Sequence, residues 1–301
     1  MSRVLVTTAY GGPEHQQLLE REAPAPRPGE IAIAVRAAGV NPADVKRREG
    51  VFGTSAPLPL AMGLEASGAV TALGEGVEGF AVGDAVLGTP ARGRGAFAEH
   101  TVLRAAEAAH VPAGLGLVEA ATLPIAGTTA HDLLHQVPLE PGETVLVLGA
   151  GGGVGRMVLQ LAAARGLRAL GVASESQRSA IEATGALFVP SGAEAAEAVR
   201  ALAPEGAAVL IDLVGGDALR ALAPLVRRAD HVLSAADQET AEELGGAGRS
   251  TSPEALAQIT AAAAAGLVDV TVLETYPLDR AAEAIARLER GHLGGKLVIT
   301  P

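Results

Sequence analysis

The sequence predicts an α/β protein in two parts, and two patterns along the chain indicate it. Up to about Leu117 the chain consists of short β-like runs between glycine and proline turns, including EIAIAVRAAGV (30–40) and ASGAVTAL (66–73). From about Val118, near-continuous apolar strands alternate with Ala/Leu-rich helical stretches. This alternation is typical of a parallel sheet covered on both faces. The C-terminal tail, which ends in a strand, a helix and a strand, is assigned to the first part.

Composition narrows the range of partners. The formal net charge is −11, aromatic residues are 2% of the chain and Trp is absent, so nucleic acid is excluded as an expected partner. The chain has no cysteine, which excludes disulfides and thiolate catalysis and is compatible with the expected cytoplasmic location. No charge-free apolar run is long enough to span a membrane, and the N-terminus lacks the apolar core of a signal peptide.

A glycine cluster follows one of the apolar strands, in VLVLGAGGGVG (145–155). It fits the pattern G-x-G-x-x-G with Ala150 in the first place, and it stands between a strand and a helix. In that context Gly152 lets the backbone approach a pyrophosphate, Gly155 lets the helix pack on the strand, and the helix N-terminus supplies free N–H groups. A phosphate-binding P-loop fits poorly, because Arg156-Met157 stands where Lys-Ser/Thr is required. The cluster predicts a Rossmann dinucleotide-binding domain, and a turn without a ligand is the alternative.

The end of the next strand, LRALGVA, bears on the choice of cofactor. A site for NAD typically has an acidic residue about 20 residues after the glycines, where it binds the ribose 2′-OH. Here Ala173-Ser174 occupies that place, with Arg178 one helical turn further on. A hydroxyl and a guanidinium suit a 2′-phosphate, so the sequence favours NADPH over NADH. Glu175 leaves an alternative open, since its carboxylate could point into solvent or bind the ribose.

Segments along nearly the whole chain resemble one family. The sequence is similar to the zinc-independent, quinone-oxidoreductase-like branch of the medium-chain dehydrogenases/reductases. The segments that carry the resemblance occur in the family's order: AYGGPE (9–14), AAGVNPADVKRREG (37–50), MGLEASGAV (62–70), FAVGDAVLG (80–88), LPIAGTTAHDLL (123–134), PGETVLVLGAGGGVG (141–155), DLVGG (212–216) and LERGHLGGKLVI (288–299).

The resemblance implies a domain division. A GroES-like β-barrel catalytic domain is expected at 1–117 and 268–301, a Rossmann NADP-binding domain at 118–267, and the active site in the cleft between them. Many relatives carry a longer segment where this chain has ADQETAEELGGAGRSTS (236–252), and they often use it to dimerise. A homodimer is therefore left open.

The resemblance also implies that zinc takes no part in the reaction. Zinc-dependent members carry a catalytic Cys and His where this chain has Asn41 and Leu64. An amide and an aliphatic side chain do not hold Zn²⁺. His131 and His135 have the spacing of a ligand pair, but the sequence offers no evident third ligand, so a structural or surface role is favoured.

Site residues follow from the same resemblance. The catalytic candidates are Lys46, which stands where relatives often have a Tyr, together with Asn41 and Tyr10. Lys46 or a bound water is the candidate proton source. Thr128 is expected near the nicotinamide, and Lys296 is expected to tie the tail to the cofactor domain. The predicted cofactor-binding set is Asn41, Thr128, Gly151, Gly152, Gly153, Val154, Ser174, Arg178, Val214, Leu233, Ser234, Ala235 and Lys296.

The function implied is hydride transfer from NADPH to a quinone or an α,β-unsaturated carbonyl compound. Such acceptors need no metal, because conjugation delocalises the developing negative charge. Two alternatives stay open: a biosynthetic enzyme on the same scaffold, such as a polyketide enoyl reductase or a cyclase, and a non-catalytic NADPH-binding sensor.

Overall fold

The computed structural model describes residues 1–291 and 293–301. The chain forms two compact units. The first unit comprises residues 1–125, 270–291 and 296–301, and the second comprises residues 126–269 and 293–295.

The first unit is built from β-strands in two sheets. The strands are β1 (Ser2–Thr7), β2 (Gln16–Arg21), β3 (Glu30–Val40), β4 (Leu60–Ala61), β5 (Ala66–Leu73), β6 (Ala85–Pro90), β7 (His100–His110), β14 (Val272–Pro277) and β15 (Lys296–Thr300). One sheet has the order β2-β1-β4, and the other has the order β14-β15-β3-β5-β6-β7.

The larger sheet closes on itself through β3. One edge of β3 pairs with β5, and the other edge pairs with β7 over 30–34 and with β15 over 38–40. Closure through β3, β5, β6 and β7 removes exposed strand edges, as expected of a small barrel. The C-terminal strand β15 thus lies directly beside the end of β3, which leads into the catalytic segment predicted from the sequence.

Three α-helices of the first unit carry that segment or pack on the elements beside it. Helix α1 (Pro42–Glu49) begins with a capping box, in which Asn41 is the N-cap and Asp44 closes the reciprocal bond, and it ends at Gly50 with φ of +82°. Helix α2 (Leu117–Ala120) packs on β3 and β5, and Ala121 joins a small core with Ala37. Because of that packing the first unit runs on to Ile125, past the boundary expected at Leu117. Helix α10 (Ala281–Glu289) packs against α1 and β15.

The second unit is a six-stranded parallel sheet. Its strands are β8 (Thr144–Leu148), β9 (Arg168–Ala173), β10 (Leu187–Pro190), β11 (Val209–Asp212), β12 (Val232–Ser234) and β13 (Ala247–Gly248). The spatial order is β10-β9-β8-β11-β12-β13, which is the 3-2-1-4-5-6 order of a Rossmann domain. Strands β11 and β12 are buried throughout, and β8 is buried along most of its length. Their apolar sequences predicted this burial, because both faces of such a parallel sheet are covered. The predicted fold class is confirmed.

Helices cover that sheet. They are α3 (Thr128–His135), α4 (Gly153–Ala164), α5 (Arg178–Glu182), α6 (Ala195–Leu202), α7 (Gly216–Leu222), α8 (Gln238–Glu243) and α9 (Ala255–Ala264). The tracts at 193–203 and 259–266, which have helical composition, fall on α6 and α9. Within residues 1–291 and 293–301, no helix combines the length and the apolar character needed to span a bilayer.

Candidate active site

The glycine turn that follows β8 combines one glycine that is needed for packing with another that leaves the backbone open. A Cβ at Gly155 would lie 2.5 Å from the carbonyl oxygen of Gly149 and 2.6 Å from Cα of Ala150, so the start of α4 packs against the strand only because position 155 is glycine. A Cβ at Gly152 would meet a single atom, at 3.5 Å. One glycine is therefore needed for packing, and the other leaves the backbone at the helix N-terminus open to an approaching group.

The sheet reverses its strand order at this same place. β8 has β9 on one side and β11 on the other, and ligands of open α/β sheets bind at the carboxyl ends of the strands where the order reverses. Val214, just after β11, adjoins the glycine turn, since a Cβ on Gly149 would lie 2.9 Å from its Cγ2. The predicted residues Gly151, Gly152, Gly153 and Val154 are thereby brought together with Val214.

Asp212 organises the neighbouring strand ends, and the sequence-based reasoning did not single it out. Its buried carboxylate accepts hydrogen bonds from Val214 N and Gly215 N, both at 2.9 Å, and from Ser234 Oγ at 2.6 Å. Ser234 Oγ in turn accepts from the backbone N–H of Asp237 at 2.8 Å. The only sequence signal is an acid that ends the apolar strand VLID. Of the residues predicted here, Val214 and Ala235 are exposed, while Leu233 and Ser234 are buried.

The end of β9 presents the groups that bear on the adenosine ribose. Arg178 donates to both carboxylate oxygens of Glu175, at 2.6 and 3.1 Å, and its guanidinium carbon lies 4.2 Å from the centre of the Phe188 ring. The hydrogen bonds from Arg178 lower the pKa of the Glu175 carboxyl. Ser174 Oγ and Ser176 Oγ are 3.0 Å apart. Arg178, which favours a 2′-phosphate, and Glu175, which could bind the ribose instead, are therefore hydrogen-bonded to each other.

Thr128 begins α3 and is held by an arginine that the sequence analysis did not single out. Arg249 donates to Thr128 Oγ1 at 2.9 Å, to Thr129 Oγ1 at 2.7 Å and to Asp132 Oδ2 at 2.8 Å. Asp132 is buried, so it neutralises the guanidinium in a place with little solvent. Arg249 belongs to the segment 236–252, in which the sequence suggests only a shortened loop. His131 and His135 stack at 4.1 Å between ring centroids, and His131 pairs with Gln258.

The first unit contains a buried polar cluster of Asn41, Glu65 and Lys296. The Lys296 ammonium donates to Asn41 Oδ1 at 2.5 Å, to Glu65 Oε1 at 3.1 Å and to the Val40 carbonyl at 3.1 Å. Asn41 Nδ2 donates to Glu65 Oε1 at 2.7 Å, and Glu65 Oε2 accepts from the backbone N–H of Ile125 at 2.7 Å. The orientation of the Asn41 amide is therefore fixed. All three acceptors of Lys296 belong to the first unit, so its predicted link to the cofactor domain stays a prediction.

Asp44 extends this cluster with a second buried carboxyl. Its Oδ2 accepts from Asn41 N at 2.8 Å, whereas Oδ1 is buried and has no hydrogen-bond partner in the described part of the chain. Burial raises the pKa of Asp44 to about 7, against an ordinary value of 3.8. The neighbouring Glu65 carboxylate also raises the pKa, whereas the bond from Asn41 and the charges of Lys296 and Arg47 lower it. Asp44 therefore takes up a proton close to neutral pH.

The raised pKa predicts how stability changes with pH. Between pH 3.8 and about 7 the folded chain holds a proton on Asp44 that the unfolded chain has released, so this group makes the fold less stable as the pH rises through that window. We expect Asp44→Asn, which keeps the shape of the neutral acid, to flatten the pH dependence of the free energy of unfolding. Denaturant titrations at pH 5 and pH 8 measure the change, at about 1.4 kcal/mol for each unit of pKa difference.

Asp279 provides the control for that titration. It is an exposed carboxylate of the same unit, and Asp279→Asn is expected to keep the dependence of the unchanged protein. A pH dependence that Asp44→Asn leaves intact would contradict the assignment.

The other two catalytic candidates lie around α1. Tyr10 donates its hydroxyl to the carbonyl of Ala56 at 3.0 Å, and its ring lies against the residue that ends α1, since a Cβ on Gly50 would lie 3.3 Å from Cδ1. Lys46 is in the last turn of α1 and half-buried. Asn41 therefore caps the start of α1, Lys46 lies in its last turn, and the ring of Tyr10 packs beside Gly50 at its end.

The residues at the family's zinc position do not fit a metal. The Asn41 amide is occupied by Lys296 and Glu65, and Leu64 has no donor atom. Across residues 1–291 and 293–301, no cluster of three or more His, Asp or Glu side chains could hold a metal ion. The donor set disagrees with a catalytic zinc, and the chemistry below is derived without one.

Comparisons with known proteins agree with this architecture. Residues 27–113 match the alcohol dehydrogenase GroES-like domain family, and residues 184–299 match the zinc-binding dehydrogenase family. The quinone oxidoreductase structure from Pseudomonas syringae pv. Tomato DC3000 superimposes with a TM-score of 0.89 at 27% identity, covering 100% of both chains.

Two curated relatives show different extents of similarity. The synaptic vesicle membrane protein VAT-1 homolog of Rattus norvegicus is 33% identical over 220 residues, which are 71% of this chain and 54% of that protein. Erythronolide synthase EryA2 of Saccharopolyspora erythraea is 32% identical over 291 residues, which are 91% of this chain and 8% of that protein. The chain thus spans about half the length of the VAT-1 relative and a small part of the synthase.

The family matches, the closed barrel and the Rossmann sheet lead to one conclusion. The chain belongs to the medium-chain dehydrogenase/reductase superfamily.

Proposed function

We propose that this chain is an NADPH-dependent, zinc-independent reductase that transfers hydride to a quinone or an α,β-unsaturated carbonyl compound. The observation that carries the proposal is the glycine turn at 149–155, where Gly155 is required for packing and Gly152 is open. Amide N–H groups at the start of α4 bind the pyrophosphate, assisted by the helix dipole. When bound, NADPH supplies a hydride from C4 of its nicotinamide.

Arg178 supports the preference for NADPH, and Glu175 limits it. A 2′-phosphate carries more negative charge than a carboxylate and accepts bidentate hydrogen bonds from a guanidinium, so it displaces Glu175 from Arg178. The Phe188 ring keeps the guanidinium in place during that exchange. Ser174 adds a hydroxyl at the same strand end. NADH offers no phosphate for the exchange and leaves the Arg178–Glu175 pair intact.

The competition predicts an increase in affinity on removal of the carboxylate. Glu175→Gln is expected to bind NADPH about three- to tenfold more tightly and to leave NADH binding nearly unchanged, which corresponds to about 1 kcal/mol. Arg178→Gln is expected to weaken NADPH binding and to have little effect on NADH. Calorimetric titration of both cofactors measures the two ratios. Equal effects on NADPH and NADH would show that this pair does not set the preference.

The acceptor side of the reaction rests on the first unit. Hydride addition to the β-carbon of an enone, or to a quinone, leaves negative charge on the carbonyl oxygen, and a proton must then reach that oxygen or the α-carbon. We assign this role to Lys46, a half-buried ionisable side chain in the last turn of α1, which acts directly or through a water. The Asn41–Glu65–Lys296 cluster holds the start of the same helix rigid.

Removal of the proposed proton donor tests that assignment. Lys46→Ala is expected to lower kcat about a hundredfold or more while the dissociation constant of NADPH stays the same, since a general acid contributes about 10²–10⁴-fold. Arg47→Ala, on the next position of the helix, is the matched control and should retain kcat. An unchanged kcat in Lys46→Ala would remove Lys46 from the mechanism.

A screen of acceptors tests the function as a whole. NADPH consumption is measured with simple quinones and with enones of increasing size. Turnover with members of either class is expected, and tight NADPH binding without turnover of any acceptor would instead favour a cofactor-binding sensor.

A second candidate function is reduction of an enoyl thioester in a biosynthetic pathway. It is favoured by the similarity to erythronolide synthase, which covers 91% of this chain, more than the 71% covered by the VAT-1 relative. The conjugated thioester is also an enone-type acceptor, so the same hydride chemistry applies. A preference for 2-enoyl thioesters over free quinones by at least tenfold in kcat/KM would select this function.

A further inference from the structure

A small cavity in the first unit lies apart from the Asn41–Glu65–Lys296 cluster. It has a volume of about 50 Å³ and is bounded by β1, β2, β4, the start of β7 and the turn at 93–95. A water molecule needs only about 10–15 Å³ of such volume. The cavity therefore has room for a small multi-atom group and none for a nucleotide.

The floor of this cavity contains polar atoms without partners. Thr101 is fully buried, and its Oγ1 has no hydrogen-bond partner in the described part of the chain. His100 also lines the cavity, and its Nδ1 is buried and unpartnered. Buried polar groups are nearly always hydrogen-bonded, and one left without a partner costs about 1–3 kcal/mol. Two residues of the cavity lining therefore each have a buried polar atom that the described part of the chain leaves without a partner.

The walls of the cavity carry two guanidinium groups. Arg21 ends β2, and Arg94 lies in the turn before β7; both side chains are half-buried. Within residues 1–291 and 293–301, the guanidinium groups of Arg21 and Arg94 have no hydrogen bond or ion pair to a protein acceptor, whereas other arginines such as Arg3, Arg48 and Arg249 are paired with carboxylates. This is so although the chain has 34 acidic residues and only 23 lysines and arginines. Glu22 is the acidic residue of the lining, and it is exposed. With two guanidiniums against one carboxylate, the lining favours an anion.

We propose that this cavity is a binding site for a small oxyanion, with phosphate as the probe. Guanidinium groups bind phosphate and carboxylate oxygens through paired N–H donors. Arg21 and Arg94, which both line the cavity, would supply such donors, and the Thr101 hydroxyl would add a third on binding. The ligand neutralises the unpaired positive charges and gives a partner to a buried hydroxyl. This site is independent of the cofactor and of the reductase activity proposed above.

The test is a titration with phosphate at constant ionic strength. Binding is monitored through two readouts, the melting temperature of the protein and the broadening of the ³¹P resonance of phosphate. The unchanged protein is expected to show saturable binding in the millimolar range and a rise in Tm. Arg94→Gln and Arg21→Gln are each expected to weaken binding at least tenfold. Arg92→Gln is the matched control, because Arg92 is exposed, lies two positions from Arg94 and is outside the cavity lining.

Thr101→Val distinguishes an effect on anion binding from an effect on folding. The substitution is expected to increase the Tm without phosphate and to decrease the additional rise in Tm that phosphate produces. Replacing an unpartnered buried hydroxyl by a methyl group should raise the Tm in chloride buffer. The same change should reduce the rise in Tm that phosphate produces. Lower stability in chloride together with unchanged phosphate binding would overturn the assignment.

Acetate in a parallel titration identifies the kind of oxyanion. Tighter binding of phosphate assigns a tetrahedral ligand, and tighter binding of acetate assigns a carboxylate; either supports the proposal when Arg94→Gln abolishes it. A cavity that holds only water shows no saturable response to either anion, and that result, or binding that Arg94→Gln and Arg21→Gln leave unchanged, overturns the proposal.

Discussion

Substitution of alanine for two glycines of one turn is expected to produce opposite defects. Gly152→Ala should weaken NADPH binding at least tenfold, or about 1.4 kcal/mol, because the methyl group stands where the pyrophosphate approaches the backbone. It should change the free energy of unfolding by less than about 1 kcal/mol, since its φ of −76° suits alanine and its Cβ meets one atom at 3.5 Å. Calorimetry and denaturant titration measure the two quantities.

Gly155→Ala is the counterpart within the same turn. Its Cβ would lie 2.5 Å from a backbone oxygen and 2.6 Å from a backbone Cα, neither of which can move without shifting α4 from β8. We expect a loss of about 1–3 kcal/mol in stability, together with weaker cofactor binding because the helix start is displaced. If Gly152→Ala binds NADPH as tightly as the unchanged protein, the turn is a structural connection and holds no pyrophosphate.

Removal of the buried ammonium is expected to be the most destabilising single change in the first unit. Lys296→Met leaves Glu65 as a fully buried carboxylate and takes the donor from Asn41 Oδ1. Truncating one partner of a buried ion pair costs about 3–5 kcal/mol. The free energy of unfolding should fall by that amount, and kcat should fall with it because the N-cap of α1 loses its support.

A double-mutant cycle separates the ion pair from simple loss of packing. Lys296→Met combined with Glu65→Gln should recover part of the loss, because no uncompensated charge stays buried. Arg36→Met provides the control, since Arg36 is an exposed cation on β3 of the same unit. Additive effects of the two substitutions would show that Lys296 and Glu65 do not interact energetically.

The parts of the site that lie close together along the chain could be predicted from the sequence. The glycine turn and the place of Ser174 and Arg178 after β9 each depend on a few neighbouring residues with specific backbone needs. Local spacing fixes such features, because a strand that leads into a helix at a glycine cluster has few alternative geometries. The parallel α/β sheet followed from the same local periodicities, whereas the GroES-like barrel was implied by the family resemblance.

The partnerships could not be predicted, because they join distant residues or depend on rotamers. Lys296 meets Asn41 across 255 positions, and Arg249 meets Thr128 across 121. No periodicity connects such pairs. Arg178 and Glu175 are three residues apart, yet their pairing depends on side-chain orientation, which the spacing leaves open. The sequence therefore indicated candidate residues along the chain and left their partners undetermined.

Hydride transfer is tested most directly with NADPH that carries deuterium in both positions at C4 of the nicotinamide, together with an enone acceptor. The account predicts stoichiometric consumption of NADPH and deuterium at the β-carbon of the saturated product, in the absence of added metal and in the presence of a chelator. Tight NADPH binding without transfer of the label, or transfer that requires zinc, would contradict it.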